Sequence, residues 1–137
     1  PDAAALMALA LRMQQEHPVD GAEQERVALV CALDHFGELG LEGRKLLDGQ
    51  GRLLAFSVWS FVTPSVADVH FEKALRHQPG ATQAVRIGAA RALLGRSEWI
   101  NLEQDLGAPG LRQSKRSFCP DQMLKRHLLK PRGEEHL

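Results

Sequence analysis

The spacing of hydrophobic positions along the chain changes several times, and each change marks an element. Over residues 2–16, Leu6, Met7, Leu9, Ala10, Leu11 and Met13 recur at helical spacing, which predicts a first helix. His17-Pro18 stops it, because the residue before a proline disfavours the α region. Asp20, with Glu23 three positions on, has the capping-box pattern and predicts a second helix to about Leu39. Val27, Leu29, Val30, Ala32, Leu33 and Phe36 give that helix a wide apolar face. Gly37 and Gly40 stand where its C-terminal end favours glycine.

The pattern then becomes extended. Gly43 to Leu47 predicts a short strand, and Asp48-Gly49-Gln50-Gly51 a hairpin turn in which Asp-Gly supplies positive φ. Arg52 to Thr63 is a long strand rich in Leu, Phe, Val and Trp. Pro64-Ser65 turns the chain, and Val66 to Leu75 returns, completing an antiparallel meander. Gln78-Pro79-Gly80 breaks the pattern, and Ala81 to Leu94 reads as a helix closed by Gly95. A strand at about Glu98 to Glu103 follows, then a short basic helix with Pro109 in its first turn. Pro120-Asp121 opens a last element, strand or helix, through about Leu129. This order predicts an α/β or α+β fold: a mixed, mostly antiparallel sheet flanked by helices. The expected organisation is a single domain over residues 1–130 and a polar tail at 131–137.

Composition narrows the function classes. The 137 residues have room for one domain with a real core, and 44% hydrophobic with 25% charged residues is ordinary for a soluble protein. Lys+Arg and Asp+Glu balance at 17 each, so no global field draws in nucleic acid or an anionic membrane. With 5% aromatics and no tyrosine, Trp59 and Trp99 read as packing residues rather than a base-stacking platform. No DNA partner is expected. Cys31 and Cys119 lie far apart without metal-ligand spacing, which fits a reducing, cytoplasmic setting, and Cys119 reads as a packing residue. No signal-peptide pattern is present, and no apolar run approaches the ~18 residues of a membrane span. A start at Pro1 within a helix-like run suggests a piece of a longer protein.

Several polar residues are placed for chemistry. In regular strand geometry His70 and Glu72 share one face, with Val69, Phe71 and Lys73 on the other. Such a pair is either a general acid/base couple or a hydrogen-bonded structural pair. Gly80 opens a helix, so it either allows a phosphate to approach free N–H groups or serves a left-handed turn. Trp99, Asn101, Glu103 and Asp105 share one side of an extended segment. Asn101 and Glu103 can orient an amine or hold a cation, or form a solvated edge. Asp105 can join them in that role or cap the turn before Gly107. No His or Cys joins them at ligand spacing, so no metal is expected. Arg112, Lys115 and Arg116 fall on one helical face and suit phosphate binding, or an ordinary solvated face. Ser117 has no local His and acid partner and is not read as a nucleophile.

The element order is similar to most of a GNAT (Gcn5-related N-acetyltransferase) fold without its first strand. Val69-His-Phe-Glu-Lys-Ala74, the Gly80 helix entry, and the run from Asn101 to Pro120 resemble the DUF2156 family, related to the C-terminal domain of phosphatidylglycerol lysyltransferases. The lead-in from about Glu25 to Phe56 is also similar, so the resemblance covers roughly residues 20–130. Family members typically carry two GNAT-like units, and this sequence resembles the second. The resemblance implies transfer of an acyl or aminoacyl group from an aminoacyl-tRNA or CoA thioester to an amine or hydroxyl, with a phospholipid headgroup among the acceptors. It implies catalytic roles for His70, Glu72 and Lys115, and substrate or phosphate binding by Lys73, Gly80, Asn101, Glu103, Arg112 and Arg116. Lys115 stands where the family motif places a lysine before Ser117 and Pro120. Acyl-CoA is the one cofactor suggested, although the acetyl-CoA signature is not met: His77 precedes Gly80 by three positions and Thr82 follows it by two. A second GNAT-like unit or another copy of the chain is the expected protein partner. The parent protein is expected in the cytoplasm or on the cytoplasmic side of a membrane. A non-catalytic docking half-domain is the alternative from another class.

Overall fold

In the computed structural model, residues 2–16, 21–103 and 108–130 are described. The described residues up to Glu103 form one compact unit, and residues 108–130 belong to a second. The expected caps and turns at His17-Pro18, Asp20, Asp105 and Gly107 lie outside the described residues.

The helical periodicity places α1 at Ala3–Glu16, burying Leu6 and Leu9, and α2 at Ala22–Asp34, burying Leu29, Ala32 and Leu33. Regular α2 stops before Leu39, and the chain winds on through turns. Gly40 N–H bonds to the Gly37 carbonyl at 3.1 Å and Leu41 N–H to the Phe36 carbonyl at 3.0 Å. With Gly40 at φ 62°, this is a Schellman-type closure that only glycine adopts without strain.

Four strands follow in the order β1-β2-β3-β4: β1 at Glu42–Leu47, β2 at Leu53–Thr63, β3 at Val66–Ala74 and β4 at Trp99–Asn101. The first three pair antiparallel, and β4 joins β3 in parallel after the crossover helix α3, Ala81–Leu93. The β1–β2 turn differs from the expected one. Asp48 Oδ1 accepts the N–H groups of Gln50 and Arg52, both at 2.9 Å, and the positive φ falls at Gly51, not Gly49. The loop is thus a turn followed by a left-handed glycine, the solution for hairpin loops longer than two residues.

Helices cover both sheet faces. Leu6 and Leu9 of α1 and Leu29 and Leu33 of α2 pack with Phe56 and Val58 of β2 on one face. On the other, Ala89 and Leu93 of α3 pack with Trp59, Ala67 and Val69. β2 is buried on both sides over Ala55–Trp59, which explains why it is apolar on both faces apart from Ser57 and Ser60.

One irregularity sets the position of the functional residues. Val58 pairs with Phe71, but Trp59 pairs with Val69, so His70 is an extra residue on β3. Such a bulge inverts the in–out alternation beyond it. Val69 packs towards α3, whereas Phe71 packs into the α1/α2 cluster.

In the second unit, α4 spans Pro109–Arg116 with Pro109 in its first turn. The element expected from Pro120 to Leu129 is not present. Residues 121–130 are exposed without regular structure, and Leu124 and Leu129 are 84% and 91% accessible. A short helix is marginal in water unless an apolar face is buried, and these leucines are not buried.

Candidate active site

The site lies where β3 and β4 part. Their parallel ladder has three pairs, ending at Asp68 opposite Asn101. Asn101 Oδ1 accepts the Glu103 N–H at 2.9 Å, and Glu103 adopts φ 56°. A left-handed conformation costs an L-residue about 1–2 kcal/mol. The turn aims the Glu103 side chain at β3, where Oε1 lies 3.0 Å from His70 Nδ1. The other ring nitrogen, Nε2, lies 2.8 Å from Ser60 Oγ on β2.

Hydrogen-bond chemistry fixes the direction of this chain. An ionised carboxylate only accepts, so with Glu103 ionised Nδ1 carries the proton. Nε2 of a neutral imidazole is then an acceptor, and the Ser60 hydroxyl donates to it. Ser60, His70 and Glu103 form the polar side of a groove of about 430 Å³, whose apolar wall is Ala32, Leu39, Leu41 and Phe71.

The other β3 candidates are engaged elsewhere. The bulge turns Glu72 away from His70, so the two do not share a face as regular alternation predicts. Glu72 meets Arg86 on α3: the Arg86 Nε lies 3.1 Å from each carboxylate oxygen, and a guanidinium nitrogen bonds Oε1 as well. Arg86 is buried, at 7% exposure. Lys73 faces α2, its Nζ 2.6 Å from Glu25 Oε2. The sequence reading missed Ser60, Arg86 and Glu25. Arg86 had a visible signal, since it falls on the same helical face as Val85, Ala89 and Leu93.

Gly80 precedes α3 at φ 79°, with no side-chain cap on the helix. A Cβ there would meet nothing within 4 Å, so backbone conformation rather than crowding calls for glycine. Trp59 is a core residue as expected, while Trp99 is 43% exposed. Glu103 has left the strand, so it does not share a strand face with Trp99 and Asn101 as expected: β4 ends at Asn101. Cys119 is exposed, not packed, at φ 51°.

On α4, Arg112, Lys115 and Arg116 share one face, with Lys115 and Arg116 in the last turn, where cations complement the helix dipole. Ser117 Oγ donates to the Ser114 carbonyl at 2.6 Å, an ordinary local bond. Among the described residues no cluster of three His, Cys, Asp or Glu could hold a metal ion, and no helix is long and apolar enough to cross a membrane.

The family model for "Phosphatidylglycerol lysyltransferase, C-terminal" matches residues 3–130. The chain belongs to this family. The chain also resembles solved structures. A conserved protein of unknown function from Bacteroides thetaiotaomicron is 32% identical with a TM-score of 0.78, over 86% of this chain and 40% of that one. The present chain therefore spans two fifths of that relative. Ribosomal-protein-alanine N-acetyltransferase from Brucella melitensis aligns at TM-score 0.68 and 13% identity, over 94% of this chain and 93% of that one. AAC(6')-Iy, solved with the bisubstrate analog CoA-S-monomethyl-acetylneamine, aligns at 0.62 and 12%, over 96% and 91%. A search of curated proteins gave no significant match. The chain thus shares the fold of the GNAT acetyltransferases, and its sheet and helices follow the architecture expected from the sequence.

Proposed function

We propose that this domain transfers an acyl or aminoacyl group from an activated donor to an amine or hydroxyl acceptor, with His70 as the general base. The observation that carries the reading is His70 itself. It is held between Ser60 and Glu103 at an apolar-walled groove, in a domain of a lysyltransferase family. A base placed this way removes the acceptor's proton as the carbonyl is attacked. Glu72, bound to Arg86, and Lys73, bound to Glu25, are given structural roles in this scheme.

The donor's phosphates have two candidate contacts, each on its own unit. The N-terminus of α3 at Gly80 is open and suits a pyrophosphate, which fits an acyl-CoA donor. Arg112, Lys115 and Arg116 suit the phosphates of an aminoacyl-tRNA or a phospholipid headgroup. The family favours aminoacyl-tRNA, and the fold likeness to AAC(6')-Iy favours a CoA thioester. Asn101 acts through the turn that holds Glu103.

The test offers labelled lysyl-tRNA and labelled acetyl-CoA to the protein with phosphatidylglycerol vesicles and with a primary amine. Label transfer from either donor is expected, falling at least ~100-fold in His70→Gln, the usual size of a general-base effect. No transfer from any donor, or full activity in His70→Gln, would refute the reading. If tRNA is the donor, replacing Lys115 by Ala is expected to weaken its binding and to lower the salt-dependence slope by about one unit.

A further inference from the structure

We propose that Ser60 is a covalent acyl carrier: its hydroxyl takes the acyl group from the donor as an ester and hands it to the acceptor. The inference builds on the transfer reading but concerns its route, through the enzyme rather than directly between substrates.

Three independent features of the fold converge on Ser60. The first is the chain Ser60 Oγ to His70 Nε2 at 2.8 Å and His70 Nδ1 to Glu103 Oε1 at 3.0 Å. A hydroxyl on a neutral imidazole whose far N–H is held by a carboxylate is the arrangement of an activated serine nucleophile. The second is the backbone that assembles it. His70 is the extra residue of a β-bulge, and Glu103 occupies a left-handed conformation closed by Asn101. Both are local departures from regular geometry, and both serve the same imidazole. A structural Ser–His bond requires neither. The third is access, because Ser60 and His70 line the same groove.

The chemistry balances without an oxidant, a reductant or a metal. Ser60 Oγ attacks the carbonyl carbon of an activated ester or thioester while His70 Nε2 takes the hydroxyl proton. The tetrahedral adduct collapses, the C–O or C–S bond to the leaving group breaks, and the leaving alcohol or thiol takes that proton. The acceptor amine or hydroxyl then loses a proton to Nε2 and attacks the Ser60 ester. Its collapse releases Ser60 Oγ, which recovers the proton. Glu103 stays ionised throughout and keeps Nδ1–H pointed at itself, so it is a positioning residue.

The experiment uses p-nitrophenyl acetate as the donor. Intact-protein mass spectrometry after a rapid acid quench is expected to show one added acetyl group, mapped to Ser60 by peptide analysis. A pre-steady-state burst of nitrophenolate should match it in stoichiometry. Ser60→Ala is expected to lose both burst and adduct while melting as the parent does. His70→Gln should slow acylation about 100-fold or more. Glu103→Gln should slow it too, and Glu103→Asp should recover part of the rate, which a purely structural role would not do. No adduct, or an adduct confined to other residues such as the exposed Cys31 and Cys119, overturns the proposal. So does Ser60→Ala with undiminished transfer from the natural donors. That last result, with His70→Gln inactive, leaves the transfer reading standing and removes only the covalent route. An acetylated Ser60 that passes its acyl group to no acceptor would overturn the carrier role together with the transfer reading.

Discussion

His70 and Glu103 stand 33 positions apart and meet only because the chain crosses through α3 and returns parallel to β3. No local spacing could announce that contact. Both residues stand out in the sequence, but regular strand alternation matches His70 with Glu72, which in the structure faces the opposite helix. The true partner of Glu72 is Arg86, and the pair's value lies in mutual neutralisation. The side chains are 8% and 15% exposed, so removing one leaves a charge with little water around it. Arg86→Met is expected to cost roughly 3–5 kcal/mol. Glu72→Met combined with Arg86→Met should recover much of that loss, as read from denaturant midpoints. If the single and double variants melted alike, the pair would not be coupled. Charge on an apolar helical face was readable in the sequence, but the identity of its partner was not.

At the scale of elements, hydrophobic period and turn chemistry locate, among the described residues, three of the four helices and all four strands to within a few residues. α2, the fourth, is shorter than read: its regular part stops at Asp34 and the chain reaches Gly40 through turns. The reading failed where side-chain pattern does not determine backbone geometry. The bulge at His70 leaves no trace in the apolar/polar order, because Val69 and Phe71 are both apolar and fit either face. The last expected element failed for the opposite reason, since its leucines have suitable spacing but are left exposed. Gly43 on β1 makes a sharper element-scale case. A Cβ there would sit 2.7 Å from the Ser57 carbonyl oxygen, a backbone atom that cannot swing aside. Gly43→Ala should therefore destabilise the β1–β2 pair by about 1–3 kcal/mol, the usual range for overpacking. A thermal melt equal to the parent's would contradict that.

For the whole molecule, balanced charge does not mean inert charge. Arg96, just after α3, binds Glu42 on β1 through both carboxylate oxygens, at 2.8 and 2.7 Å. The guanidinium holds the Glu42 carboxyl below its ordinary value of 4.5, with burial opposing the shift. A carboxyl whose folded-state pKa is depressed adds stability above its unfolded pKa, and that stability is lost as pH falls through the folded value. The molecule should therefore lose this contribution only below the ordinary carboxylate range. Both side chains are more than a third exposed, so solvent screening keeps the effect small. Glu42→Gln should melt slightly below the parent at neutral pH, and the two curves should converge in acid. A constant gap across the titration would point to packing instead. Proteolysis gives a second test at this scale. The basic residues Lys125 and Arg126 sit in an exposed segment without regular structure, so brief trypsin treatment should cut there before any site on β1–β3.

The extra residue on β3 also sets a rule for how the chain tolerates change in length. Deleting one residue at position 70 would let Phe71 follow Val69 in unbroken pairing, so the sheet would become more regular. Yet the imidazole would be gone. An insertion one step further along would instead reverse the facing of Glu72 and Lys73 and part them from Arg86 and Glu25. Length variation should therefore be tolerated in the β1–β2 loop and the Asp121–Lys130 stretch, but not between Val69 and Ala74. A library of single-codon insertions and deletions, sorted first for folding and then for acyl transfer, should show loss of folding and loss of activity separating at that one bulge.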